Sequence, residues 1–189
     1  MPRTLDGVGP AGHGIIDLGG PVRRTWTLWT ETGLVRLMTH GTLGRARERE
    51  AWALEAGVDP DAERPVPARI VDVLSAYARG EPVDPTTLPV DLSGSRYFVA
   101  VWRAARRVPR GEVRSYAEVA AMAGSPRAIR AVGTAMAECP IAIVVPCHRV
   151  IAAGMKIGGY GGRLDRKRAL LALEGWRFDA DRLWARAGS

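Results

Sequence analysis

Between Glu81 and Leu92 the chain carries three prolines, Pro82, Pro85 and Pro89, and no periodic pattern of apolar residues. Proline fixes φ and removes a backbone donor, so neither a long helix nor a central strand runs through such a stretch. It reads as a linker. A chain of 189 residues interrupted there is long enough for two small cores, and we expect an N-terminal domain over residues 1–90 and a C-terminal domain over 91–189. Charge divides at the same point. Residues 1–90 hold 10 Arg against 12 acids, whereas residues 91–189 hold 17 Lys and Arg against 8 acids. With 25 Arg and only 2 Lys the composition is biased as a whole, but bias alone does not segregate charge. A half of net charge +9 beside a nearly neutral one points to a polyanion, most often nucleic acid.

The N-terminal half reads as a small α/β unit. Val22–Trp29 and Leu34–Thr39 are rich in β-forming residues and flank Glu31-Thr32-Gly33, a hairpin pattern. Ile70, Val73, Leu74 and Tyr77 then recur at helical spacing from Pro67 to a stop at Gly80. The opening Met1–Gly7 lacks the apolar core of a secretory signal, and no apolar run approaches the roughly 18 residues of a membrane span. We expect a cytoplasmic chain with no membrane partner.

In the C-terminal half, Phe98, Val101, Trp102, Ala105 and Val108 form one helical stripe. Ser115-Tyr116-Ala117-Glu118 has capping-box spacing before a short helix that Gly124 ends. Ser125-Pro126 looks like the start of a second helix running to Ala137, which would make a helix-turn-helix. Its Ile129, Val132 and Met136 fall on one side and Arg127, Arg130 and Thr134 on the other. Gly133 in mid-helix costs about 1 kcal/mol against Ala, which suggests a close approach to the backbone there. The apolar run Ile141–Val145 has the length of a buried strand and leads into Pro146-Cys147-His148-Arg149-Val150.

Cys139 and Cys147 are the two cysteines, and neither sits in a zinc-type spacing, so no structural metal or disulfide framework is expected. His148 and Arg149 next to Cys147 supply positive charge that lowers a thiol pKa, and the thiolate is the reactive form. Taken alone, Cys147 reads more readily as a small buried hydrophobe than as a nucleophile. In an extended segment His148 would point away from it and would need a turn or a water to reach it.

Pro146-Cys147-His148-Arg149-Val150, preceded by Ser115-Tyr116 and Arg130-Ala131-Val132-Gly133, resembles the O6-alkylguanine-DNA alkyltransferase family, the methylated-DNA–protein-cysteine methyltransferases. Val101-Trp102, Pro109, Gly111, Gly159-Tyr160-Gly161-Gly162 and Leu170–Gly175 extend the likeness over about residues 93–175. The resemblance implies a ribonuclease-H-like, hairpin-rich α/β N-terminal domain and a mostly α C-terminal domain with a winged-helix-like helix-turn-helix. It implies direct-reversal DNA repair, in which Cys147 irreversibly accepts the alkyl group from O6 of a flipped guanine, once per chain. His148 would pass the thiol proton through water to Glu174, and Tyr116 would help turn the nucleotide and donate to guanine N3. Arg130 would fill the vacated stack, with Arg127, Ala131 and Thr134 on DNA. Cys147 and Val150 carbonyls, the Gly161 amide, Tyr160, Gly162 and Met136 would line the pocket. The partner would be double-stranded DNA bound through its minor groove by a monomer that can cluster along it, with no cofactor.

A lesion-binding module without transfer, a transcriptional regulator and a cysteine hydrolase are the competing classes. The family ordinarily has Asn where this chain has Cys139, and Cys139 is expected to pack as a structural substitute, not to act as a second acceptor.

Overall fold

The structure, a computed structural model, describes residues 10–20, 22–39, 46–180 and 182–186. The reading of Met1–Gly7 therefore lies outside the described residues. Two compact units emerge. One holds the described residues up to Ser93 together with Pro140–Ala142, and the other holds Gly94–Cys139 and the residues from Ile143 on.

The N-terminal unit is built on an antiparallel sheet of β1 (Gly12–Asp17), β2 (Arg24–Thr30) and β3 (Gly33–Thr39) in that order. The hairpin expected from its turn residues is β2–β3, while β1 gave no sequence signal because Gly12-His13-Gly14 breaks its alternation. β2 is buried on both faces, Thr25 and Thr27 included. Their hydroxyls donate to the Arg23 and Gly14 carbonyls, which removes the cost of burying them. Helix α1 (Ala46–Glu55) and helix α2 (Ala68–Ala78) complete the unit. Trp26, Leu28, Ala53 and Val58 form one of its cores.

The proline-rich stretch is not a free linker. Pro85, Leu88 and Pro89 are buried, the Leu34 amide donates to the Pro89 carbonyl at 3.0 Å, and the Asp91 amide donates to the Leu34 carbonyl at 2.8 Å. The prolines sit where no donor is required, so the segment lies along β3 as an edge addition. At the other end of the same strand, the Leu37 amide donates to the Pro140 carbonyl at 2.9 Å and Leu37 bridges Ile141.

In the C-terminal unit, α3 (Arg96–Ala105) is capped by Ser95 and buries Val101, Trp102, Ala104 and Ala105. The two-residue strand β4 (Arg114–Ser115) leads into α4 (Tyr116–Met122), and α5 (Ile129–Ala137) follows. Ser115 and Glu118 form the capping box that their spacing predicts. The three helices pack together, and the Trp102 indole donates to the Ala135 carbonyl at 2.7 Å. Then come β5 (Val150–Ile151), paired in parallel with β4, helix α6 (Leu164–Leu173) and the hairpin of β6 (Trp176–Asp179) and β7 (Arg182–Arg186). No helix among the described residues is long and apolar enough to cross a membrane.

Three expectations need correction. Ser125-Pro126 does not open α5: Ser125–Ala128 form a turn, closed by the Ala128 amide on the Ser125 carbonyl at 2.9 Å, and the helix begins at Ile129. Ile129, at that first position, is 44% exposed and not part of the packed face, which Val132, Ala135 and Met136 supply. The run Ile141–Val145 is buried except at Ala142 but is no regular strand, because Ile143 takes a positive φ of 79° and breaks the extended path.

Candidate active site

The β4–β5 pairing sets Arg114 opposite Val150 and Ser115 opposite Ile151, which brings the start of α4 alongside the segment leaving Cys147. Tyr116, half-buried, donates its hydroxyl to the Gly159 carbonyl at 3.4 Å. Its pKa is raised by burial and then by the negative charge of Cys147. Gly158 has a φ of +70°, and a Cβ there would stand 3.2 Å from the Tyr116 ring, so the glycine lets the chain pass close to it.

Cys147 opens a single 3-10 turn, Cys147–Arg149, and is 5% exposed. The expected extended course of this segment is thus replaced by a turn. The thiol pKa is lowered to about 6. The main cause is a hydrogen bond from the Cys139 side chain, opposed by burial and assisted by His148, by Tyr160 and by Lys167. The Tyr160 hydroxyl lies 3.6 Å from Cys147 Sγ. Cys139, expected to pack as a structural substitute, is half-exposed just past the end of α5. Arg149 was read in sequence as part of the positive surroundings of this thiol. A transfer rate that depends on the thiolate should be flat above about pH 6 and fall roughly tenfold per unit below it, the direction set by a lowered thiol pKa. Rates measured between pH 4.5 and 8.5 check this, and a midpoint near the ordinary thiol value would contradict it.

Arg149 points instead into the interior. Its Nε and Nη2 donate to both oxygens of Glu174 at 2.9–3.2 Å, and its Nη1 donates to the Val108 carbonyl at 2.7 Å. His148 Nε2 donates to Glu174 Oε1 at 2.9 Å, and the Gly111 amide donates to Oε2 at 3.2 Å. Glu174, which as a residue at a helix end reads as a surface acid, is only 3% exposed. Burial would raise its carboxyl, but attraction to and hydrogen bonds from His148 and Arg149 outweigh it and hold the group well below the usual carboxylate range.

Lys167 is fully buried and escaped sequence reasoning. It donates to the Val150 carbonyl at 2.6 Å and the Gly159 carbonyl at 3.2 Å, and burial lowers its pKa to about 8 while the Cys147 charge opposes this. Its position on α6, three residues before Leu170, was the available signal: a lysine on an apolar helix face. Arg166 was missed too; its charge acts on Tyr160 and Cys147. The Tyr160 hydroxyl is raised well above its ordinary value by burial and by Cys147. Gly161 and Gly162 are exposed at φ of 56° and 78°, with open space where a Cβ would stand.

The predicted residues thus divide into groups. Cys147, His148, Glu174, Tyr116, Val150 and Tyr160 converge, with Gly161 and Gly162 in the loop that follows. Arg130 and Thr134 are exposed on α5 with Ala131 half-exposed beside them, whereas Arg127 is exposed in the turn before that helix. Met136 lies on its buried face, 8% exposed. Among the described residues, and apart from its own helix backbone and chain neighbours, no atom comes within 4 Å of the position a Cβ would take at Gly133, so they do not make the close approach expected there.

The profile of the family described as "6-O-methylguanine DNA methyltransferase, DNA binding domain" matches residues 96–176. A methylated-DNA–protein-cysteine methyltransferase of Mycolicibacterium paratuberculosis is 54% identical over 107 residues, 57% of this chain, and the match spans 64% of that protein's length. One from Mycobacterium leprae is 49% identical over 126 residues, 67% of this chain and 71% of its own. The crystal structure of Mycobacterium tuberculosis OGT in complex with DNA superposes with a TM-score of 0.69 at 37% identity, covering 86% of this chain and 92% of that one. Such agreement, reaching from the N-terminal strands to the C-terminal helices, leaves one assignment: the chain belongs to the methylated-DNA–protein-cysteine methyltransferase family.

Proposed function

We propose that this chain repairs DNA by direct reversal, with Cys147 displacing O6 of an alkylated guanine at the alkyl carbon and keeping the alkyl group. The observation that carries this is a buried thiol of lowered pKa beside a His–Glu–Arg cluster. A thiolate is a soft nucleophile suited to saturated carbon. The thioether formed has no acyl carbon for water to attack, so each chain acts once.

In this reading His148 takes the thiol proton through a water, and Glu174 fixes the imidazole through Nε2. Arg149 keeps Glu174 ionised and in place. The target base lies in a duplex and must leave the stack, at a cost of a few kcal/mol. Arg130 fills the gap, and Tyr116 donates to guanine N3, which improves the leaving group. The carbonyls of Cys147 and Val150 accept from the guanine amino group. The Val150 oxygen already accepts from Lys167 and uses its second lone pair. The Gly161 amide faces O6, and Tyr160 and Gly162 close the wall. Met136 acts from behind α5, by packing. No cofactor or metal takes part.

Duplex DNA is the partner, gripped through the minor groove by α5, Ala131 and Thr134, with Arg127 on the phosphates from the preceding turn. The solved complex of the Mycobacterium tuberculosis relative with DNA supports DNA as the partner. The groove code there is degenerate, so selectivity resides in the pocket. The N-terminal unit is ribonuclease-H-like, the α4–α5 region winged-helix-like, and the protein works in the cytoplasm as a monomer that can cluster along DNA.

Open space at Gly133 is where the DNA backbone comes close. Gly133→Ala should then stabilise the fold by about 1 kcal/mol while weakening duplex binding several-fold. Chemical denaturation and fluorescence anisotropy read the two effects, and a variant that is stabilised but binds unchanged would remove DNA from that position.

Incubation with an oligonucleotide containing O6-methylguanine, followed by mass spectrometry, tests the function as a whole. We expect a gain of one methylene per chain, mapped to Cys147. Binding without mass gain would mean a lesion-binding module, and repeated turnover would mean a hydrolase.

A further inference from the structure

The outward face of α5 carries one large apolar side chain. Ile129, at the first position of the helix, is 44% exposed, and the other exposed residues along it are Arg130, Thr134 and Ala137, with Ala131 and Gly133 half-exposed. Gly133 follows at i+4, on the same side as Ile129, so the isoleucine stands on a face otherwise made of small residues and one cation. A lone exposed apolar residue is ordinary on a protein surface. What sets Ile129 apart is its company. Arg127 and Arg130 flank it, both exposed, and no acidic residue occurs between Glu118 and Glu138. An apolar side chain between two cations suits a polyanion whose interior is uncharged, which is what the stacked bases of DNA are.

We infer that Ile129 is an apolar wedge: with α5 in the minor groove, it enters a base step beside Arg130 and partly unstacks it, which loosens the duplex next to the base that leaves. The inference rests on the reading of α5 as the duplex-binding helix, and not on which residue accepts the alkyl group.

A wedge needs a support that does not yield, and α3 supplies one. The Tyr97 hydroxyl donates to the Ala128 carbonyl at 3.2 Å, and the Val132 amide donates to the same carbonyl at 3.2 Å. The residue before Ile129 is thereby held from the neighbouring helix. At the other end of α5 the Trp102 indole holds the Ala135 carbonyl at 2.7 Å, and Val132, Ala135 and Met136 bury the opposite face. The side chain itself fits the task. Isoleucine is stiff about χ1, so it loses little freedom on insertion, and its apolar surface leaves water on entering the stack. Apolar side chains of this kind unstack base steps from the minor groove. Ile129 and Arg130 leave the helix about 100° apart, so the two reach different points of the groove.

The test uses the full chain and an undamaged duplex carrying 2-aminopurine at several positions, a base that brightens when its neighbours unstack. No lesion is present, so no methylated base contributes to the signal. We expect the native chain at saturation to raise the fluorescence, and Ile129→Ala to leave it near the level of the free duplex. Affinity of the variant, read by anisotropy of a labelled duplex, should be about fivefold weaker at every salt concentration, because apolar burial is lost and no phosphate contact with it. Arg127→Ala should differ in kind, reducing the salt slope by about one while the brightening remains. Alanine favours a helix more than isoleucine, so a thermal melt should show Ile129→Ala at least as stable as the native chain. Ile129→Leu, which keeps the apolar bulk, should retain both brightening and affinity. Equal brightening by the native chain and Ile129→Ala would overturn the proposal, whatever the affinities. So would native affinity in Ile129→Ala, or a native chain that binds the duplex without brightening it. Methyl transfer from O6-methylguanine, measured on the same preparations, separates the two readings. A native chain that transfers nothing, yet brightens the duplex through Ile129, would refute the repair reading alone.

Discussion

Cys147→Ser should accept no methyl group from O6-methylguanine DNA while binding the same duplex within about twofold of the native affinity. A serine hydroxyl stays protonated across the physiological range, so the charge that Cys139, His148, Tyr160 and Lys167 stabilise on sulfur does not form. The fold should survive, because the oxygen keeps a hydrogen-bonding group in nearly the same volume, and a change of about 1 kcal/mol is the expected scale. In the proposed binding mode DNA affinity rests on residues such as Arg127 and Arg130, which are exposed and which the substitution does not touch. Transfer of a labelled methyl group, measured beside fluorescence anisotropy on the same preparation, reads both quantities. Label on the variant would move the acceptor to another residue, with Cys139 the first to be mapped.

Glu174→Gln is the second large effect, and it falls on stability as well as activity. The native carboxylate receives the Arg149 guanidinium, His148 Nε2 and the Gly111 amide at once, all in a buried setting. An uncharged amide leaves the Arg149 charge without its counterion, and removal of one partner of a buried pair costs about 3–5 kcal/mol. The sign of its pH dependence follows from the direction of its shift. A carboxylate held below its ordinary value contributes stability that is fully present above that value and is lost as pH falls through the depressed one. The native protein should therefore lose stability on acidification through this group, and Glu174→Gln should be weaker at neutral pH with a shallower acid limb. Urea denaturation at several pH values measures it. A variant with native stability at pH 7 would mean that Arg149 is held by other contacts. Transfer should slow as well, since His148 loses the charged acceptor that fixes its ring.

Much of this was written in local sequence. The stripe from Phe98 to Ala105, the Ser115–Glu118 box and the turn at Gly124 are short-range patterns, and short-range patterns survive into the fold. Helix α1 went unread because charged residues surround it on most sides and no apolar stripe marks it. The cluster under the acceptor was legible only through the family likeness for His148 and Glu174, which lie 26 residues apart. Arg149 was taken for a neighbour of the thiol because adjacency is all a sequence displays; the 3-10 turn sends it the other way, toward Glu174. The influence of Cys139 on the Cys147 thiol was hidden for a related reason. The chain between them leaves the unit that holds both thiols and returns to it, and composition carries no sign of that detour.

That detour constrains the order in which the protein can be assembled. Residues 140–142 complete the sheet of the N-terminal unit, where Leu37 pairs with the Pro140–Ile141 backbone and Ile141 is fully buried. During synthesis the first ninety-odd residues emerge without this piece, and the Leu37 end of β3 lacks its partner until residue 142 has cleared the ribosome, although the Leu34 end already pairs with Pro89 and Asp91. By then α3, α4 and α5 have already been made, so the two units must mature in overlap and not one after the other.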